Sequence, residues 1–85
     1  MSVIYKYELD RAHRQSLKLP IDAEILSVQM QAGNICAWVK LDPNKPTASR
    51  EIMLVGTGHS FDDRPMRHIS TIQDNGFVWH FFESV

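Results

Sequence analysis

The residues best equipped for chemistry in this chain are four histidines (His13, His59, His68 and His80), one cysteine (Cys36) and the acid pair Asp62-Asp63. A metal centre needs three or four ligands at workable geometry, and no His-x-His, His-x₃-His or Cys-x₂-Cys spacing occurs. His59, Asp62, Asp63 and His68 share one loop region, yet solvated loop residues are the expected reading. No metal and no cofactor are predicted. Cys36 lies far in sequence from every histidine, and adjacent acids in an extended loop diverge rather than converge on one bond. No catalytic residue, and no enzyme, is therefore expected.

Gly56-Thr57-Gly58-His59 has the look of a phosphate cradle, since glycines let backbone N–H groups approach an anion. Phosphate loops lead into a helix N-terminus or carry a Lys-Ser/Thr pair, and neither follows here. A tight turn closing a strand is the expectation. The alternative is a small anionic ligand, such as a nucleotide, held by this turn with His59, Arg64, Arg67 and His68. Trp38 is the remaining binding candidate. It projects from the polar face of its hairpin, where either a second layer covers it or it anchors a partner protein, as tryptophan does at interaction hot spots.

Those residues must be positioned by strands, because the hydrophobic period is two. Val3, Tyr5, Tyr7 and Leu9 alternate with Ile4, Lys6 and Glu8, and Arg14 to Leu19 is a short second strand ended by Pro20. Glu24–Gln31 and Ile35–Asp42 form a hairpin about Gly33-Asn34. Its apolar face pairs Met30 with Ala37, Val28 with Val39 and Leu26 with Leu41. Its polar face carries Cys36 and Trp38. Pro43 to Arg50 reads as a loop, Glu51 to Val55 as a short buried strand, and His59 to Met66 as a second loop. Asn75-Gly76 is the strongest turn signal, because a type I′ hairpin needs positive φ at both positions. It pairs Ile72 with Trp79, Thr71 with His80, Ser70 with Phe81 and Ile69 with Phe82. Phe77 to Phe82 is apolar on both faces, so it is central in a sandwich or lies against a second copy of the chain. Pro20–Glu24 and Phe61–Met66 are the only candidates for helical turns. The fold expected is one mostly-β domain over residues 1–85: a small antiparallel sandwich or half-open barrel of five to seven strands with two tight hairpins.

Composition narrows the function. A net charge of −1 gives no general reason to bind a polyanion. A single cysteine excludes an internal disulfide and suits a reducing compartment. No stretch approaches the roughly 20 apolar residues of a membrane span, and the start MSVIYKYELD has no signal-peptide core. A cytoplasmic protein without membrane contact is expected.

The segments Tyr5 to Leu9, Leu19-Pro20, Ala23 to Gln29, Gly33, Trp38, Asp42-Pro43, Arg50, Gly56 to His59 and Val78 to Glu83 together carry a resemblance. The pattern resembles an uncharacterised protein family of tailed bacteriophages and prophages. Its members have no assigned catalytic or binding site, so the resemblance implies origin and not chemistry. Small phage accessory proteins often act by binding. The expectation is thus a non-enzymatic protein of the host cytoplasm that inhibits a host defence complex, in the manner of an anti-CRISPR factor. A nucleotide-signal sponge and a virion or assembly component are the alternatives, with a homodimer through the apolar C-terminal strand as the expected route to assembly.

Overall fold

Alternating apolar residues build seven antiparallel strands in a computed structural model that describes residues 1–85. They are β1 (Val3–Leu9), β2 (Arg14–Pro20), β3 (Glu24–Gln31), β4 (Asn34–Leu41), β5 (Thr47–Gly56), β6 (Met66–Asp74) and β7 (Phe77–Ser84). Sheet one has the order β1-β4-β3, and sheet two the order β2-β5-β7-β6. The inner faces share one core, in which Ile25, Val28, Ile35, Val39 and Leu41 of the first sheet meet Leu19, Ile52, Leu54, Ile72 and Phe81 of the second. The sheets are not closed into a barrel, so the sandwich alternative is the observed one. No helix forms. The stretch after Pro20 is instead a turn with Asp22 at φ 65°.

Both hairpins form, with one register corrected. Asn75 (φ 49°) and Gly76 (φ 89°) make the expected turn, and Ser70, Thr71 and Ile72 oppose Phe81, His80 and Trp79. The first hairpin turns on Ala32 (φ 50°) and Gly33 (φ 82°), not on Gly33-Asn34. Met30 therefore opposes Ile35, and Val28 opposes Ala37. A left-handed alanine costs about 1 kcal/mol. Offsetting it, Ile35 is buried opposite Met30, and the Gly33 carbonyl accepts a hydrogen bond from Arg11 at 3.3 Å.

Two β-bulges account for further departures. One falls between Ile25 and Ser27, so Ile25 turns inward opposite Val39 while Leu26, expected opposite Leu41, is exposed. The other falls between His68 and Ser70, so His68, not Ile69, opposes Phe82. The bulges face each other where β3 runs beside β6. There the sheets are tied by Val28 N–H donating to Ser70 Oγ (2.8 Å) and by Arg67 reaching the Ile25 carbonyl (3.3 Å). Extra residues interrupt a ladder, and that seam has no regular strand pairing.

β5 is also longer than expected. It begins at Thr47, within the segment read as loop, because Thr47 to Arg50 pair with Leu17 to Pro20 of β2. Cys36 lies on the outer side of its strand as read, yet it is buried.

Candidate functional site

The outer face of sheet two carries the densest set of chemically capable side chains. Strand alternation places His68, Thr71 and His80 on this face, since Thr71 opposes His80 and His68 opposes Phe82. The Thr71 hydroxyl lies 2.9 Å from His68 Nε2 and 3.0 Å from His80 Nδ1. His80 Nε2 in turn lies 2.8 Å from Thr57 Oγ1. A neutral imidazole has one donor and one acceptor nitrogen, so these contacts form a directional chain from His68 through Thr71 and His80 to Thr57. Phe82 packs beside it, edge-on to His68 at 5.3 Å and tilted against Phe61 at 5.2 Å.

Thr57 enters this chain because β5 ends in a tight turn. His59 N–H donates to the Gly56 carbonyl at 3.0 Å, and Gly58 takes φ +86°, as the third position of a type II turn requires. The His59 ring folds back over Gly56. A Cβ there would stand 2.8 Å from His59 Nδ1 and 3.2 Å from the Trp79 ring, so only glycine lets the imidazole settle this closely. The turn separates two grooves. One, about 290 Å³, is lined by Val55, His59, Phe61, His80 and Phe82. The other, about 280 Å³, is lined by Thr57, His59, Phe77, Val78 and Trp79. Phe77 is 60% exposed and stacks on Trp79 at 5.2 Å.

The arginines are committed elsewhere. Arg64 pairs with Glu51 and stands 3.9 Å from Asp62, and Arg14 binds the same two acids at 3.9 and 2.8 Å. This four-charge network fastens the 57–65 loop over β5, where Arg64 lies 3.3 Å from the Sδ of fully buried Met53. The Ser84 hydroxyl, followed by Arg64 and Arg14, holds the Glu51 carboxyl below its usual range. Arg67 turns to the interior side, 3.7 Å from the buried carboxylate of Glu83.

Of the residues singled out in the sequence, His68 lies on the outer face with Thr71 and His80, whereas the His59 ring rests over Gly56 beside Trp79, on the core side of the sheet's end. Arg64 lies on the outer side but is neutralised, and Arg67 points away. Trp38 stands apart, half-buried on the outer face of sheet one between Lys6 and Ser27. No three His, Cys, Asp or Glu residues converge as a metal site would need. Thr57, Thr71, His80, Phe61 and Phe82 complete the face. The Thr71–His80 contact was readable from the Asn75-Gly76 register, but Thr57 joins only through the β5–β7 pairing.

Two further carboxylates are structural. Asp74 is buried, accepts two hydrogen bonds from Arg11 (2.6 and 3.0 Å) and one from Trp79 Nε1 (3.0 Å), and is held below its ordinary range by them in that order. Glu83 is bound by Arg50 at 2.7 Å, and Arg50 also donates to the Ala23 carbonyl at 2.9 Å. Each pair ties sheet two to backbone of sheet one, since Arg11 also reaches Gly33.

No curated protein and no solved structure matches the chain. A family model described as a domain of unknown function, DUF7352, matches residues 1–85. The chain, over its full described length, belongs to the DUF7352 family.

Proposed function

We propose that the protein acts by binding a partner protein through the end of sheet two around the Gly56–His59 turn, where a groove on the outer face and a groove on the core side meet, and not by catalysis. The carrying observation is the pair of shallow grooves on either side of that turn, lined by Phe61 and Phe82 on one side and Phe77 and Trp79 on the other. Aromatic rings beside hydrogen-bonding groups are the composition of interaction hot spots. Thr57 beside His80 has the spacing of a nucleophile and base. The second nitrogen of His80, however, meets a neutral hydroxyl where a catalytic triad places a carboxylate. This favours a hydrogen-bonding surface.

The small-anion reading is the weaker one, because Arg64 and Arg67 already face carboxylates. The partner we favour is a host protein complex of a phage-infected cell, in the host cytoplasm, with a defence complex of the kind anti-CRISPR factors block as the leading case. That choice is supported by the sequence resemblance to phage proteins. The absence of any helix long and apolar enough to cross a membrane is compatible with it.

Retention of bacterial host proteins on the immobilised chain tests the surface. Wild type should retain a defined complex, Trp38→Ala should retain it equally, and Phe61→Asp with Phe77→Asp should lose it. Retention unchanged by the double substitution rejects this end of the sheet. Tight nucleotide binding that survives Arg64→Ala and Arg67→Ala would reject both readings of the site.

A further inference from the structure

The two free sheet edges differ in how they are finished. β2 ends in Pro20, carries Arg14 and Lys18, and holds the preceding loop through Gln15, whose side chain bonds both backbone groups of Asp10 at 2.8 and 2.9 Å. Proline, charge and covering loops are the usual means of blocking an edge. β1 has seven residues, no proline and no bulge, and pairs continuously with β4 on one side only. The other side of β1 makes no backbone hydrogen bond outside the sheet. Val3 and Tyr5 point to the core side of sheet one, as the pairing of Tyr5 with Val39 requires, yet they are 36% and 47% exposed.

We propose that β1 pairs with β1 of a second copy of this chain, antiparallel and about a two-fold axis through Tyr7. The inner faces of the two sheets then lie on the same side, and the sheet becomes six strands wide. Choice of this register follows from the side chains. It sets Lys6 opposite Glu8 of the second copy, twice by symmetry, on the outer face. On the inner face Tyr7 meets Tyr7, and Tyr5 meets Leu9. Centring the pair on Lys6 would oppose the two lysines and set Ile4 against Glu8. Centring it on Tyr5 would leave both charges without a partner. Opposite charges across strands stabilise, and like charges destabilise. Lys6 is exposed and reaches across β4 to Gln31 at 2.7 Å, so meeting Glu8 of the second copy exchanges that hydrogen bond for the ion pair as the flexible side chain swings to the free edge. The C-terminal strand cannot serve this purpose by its edges, because β7 is flanked by β5 and β6.

Sedimentation equilibrium of the whole chain from micromolar to millimolar concentration tests the proposal, with circular dichroism to verify that each variant is folded. Wild type should form dimers that weaken with salt. Lys6→Glu and Glu8→Lys should each weaken dimerisation at least tenfold, and the two together should restore it. Tyr7→Cys should give a disulfide-linked dimer, because opposed residues of an antiparallel pair fall within bridging distance. A monomer throughout the concentration range overturns the proposal. So does a dimer indifferent to both single charge reversals.

Discussion

Replacing Arg50 by methionine should destabilise the fold far more than its position at the rim suggests, and removing its partner as well should undo the damage. Arg50 is a quarter exposed and holds Glu83, whose side chain is 7% exposed, at 2.7 Å. With Arg50 gone, the carboxylate retains only Arg67 at 3.7 Å, and the Ala23 carbonyl loses its donor. Glu83 Oε2 has no hydrogen bond even in the intact protein. Breaking a buried ion pair costs about 3–5 kcal/mol. Partial exposure of Arg50 and the nearby Arg67 bring this to about 2–3 kcal/mol for Arg50→Met. That is a large share of the roughly 4–13 kcal/mol expected for a domain of this length. With a urea m-value near 1 kcal/mol/M, the denaturation midpoint should fall by about 2–3 M. The double variant Arg50→Met with Glu83→Leu removes the buried charge along with its partner, and should lie within about 1 kcal/mol of wild type. An Arg50→Met midpoint within about 0.5 M of wild type would refute the reasoning. Equally damaging would be a double variant whose loss equals the sum of the singles, because the two side chains would then not be coupled.

Other outcomes follow from the same geometry. Phe81 is fully buried where the sheets meet, so Phe81→Ala should lose about 3–5 kcal/mol in the same urea assay. Asp74 and Glu51 have folded pKa values below their unfolded ones, so their contribution is complete above the ordinary carboxylate range of about 4. It is lost as pH falls from there through the folded values. The urea midpoint should drop on acidification through that window, less steeply in Asp74→Asn, and a midpoint that stays level would contradict the ion-pair geometry. Gly56→Ala should displace the His59 ring, visible as a large shift of its NMR imidazole signals while Thr71 and His68 signals stay put. Unmoved His59 signals would show that the ring does not rest on the glycine.

How much of the site was legible depended on sequence distance. Thr71 and His80 flank one turn, so their contact could be read from Asn75-Gly76 alone. Sequence proximity groups His59, His68, Arg64 and Arg67 about one turn, yet His59 folds onto the Gly56–Trp79 side, away from His68. The carboxylate partners of Arg64 and Arg67, Glu51 and Glu83, belong to other strands, and no local pattern announces such a pairing. Trp38 was rightly read on the face opposite the core, and it took the two-sheet arrangement to separate it from the histidines.

Alternation and turn chemistry alone determined the all-β class, the existence of both hairpins and the inward face of β4. Each depends on contacts a few residues apart, where side-chain period and φ preference decide the outcome. The tertiary structure decided the turn at Ala32-Gly33, the bulges beside Leu26 and Ile69, the early start of β5 and the destinations of Arg11, Arg50, Arg64 and Arg67. These arise where one sheet must accommodate the other. A one-residue bulge or a buried ion pair gains its free energy from neighbours tens of residues away, and the local sequence carries no trace of them.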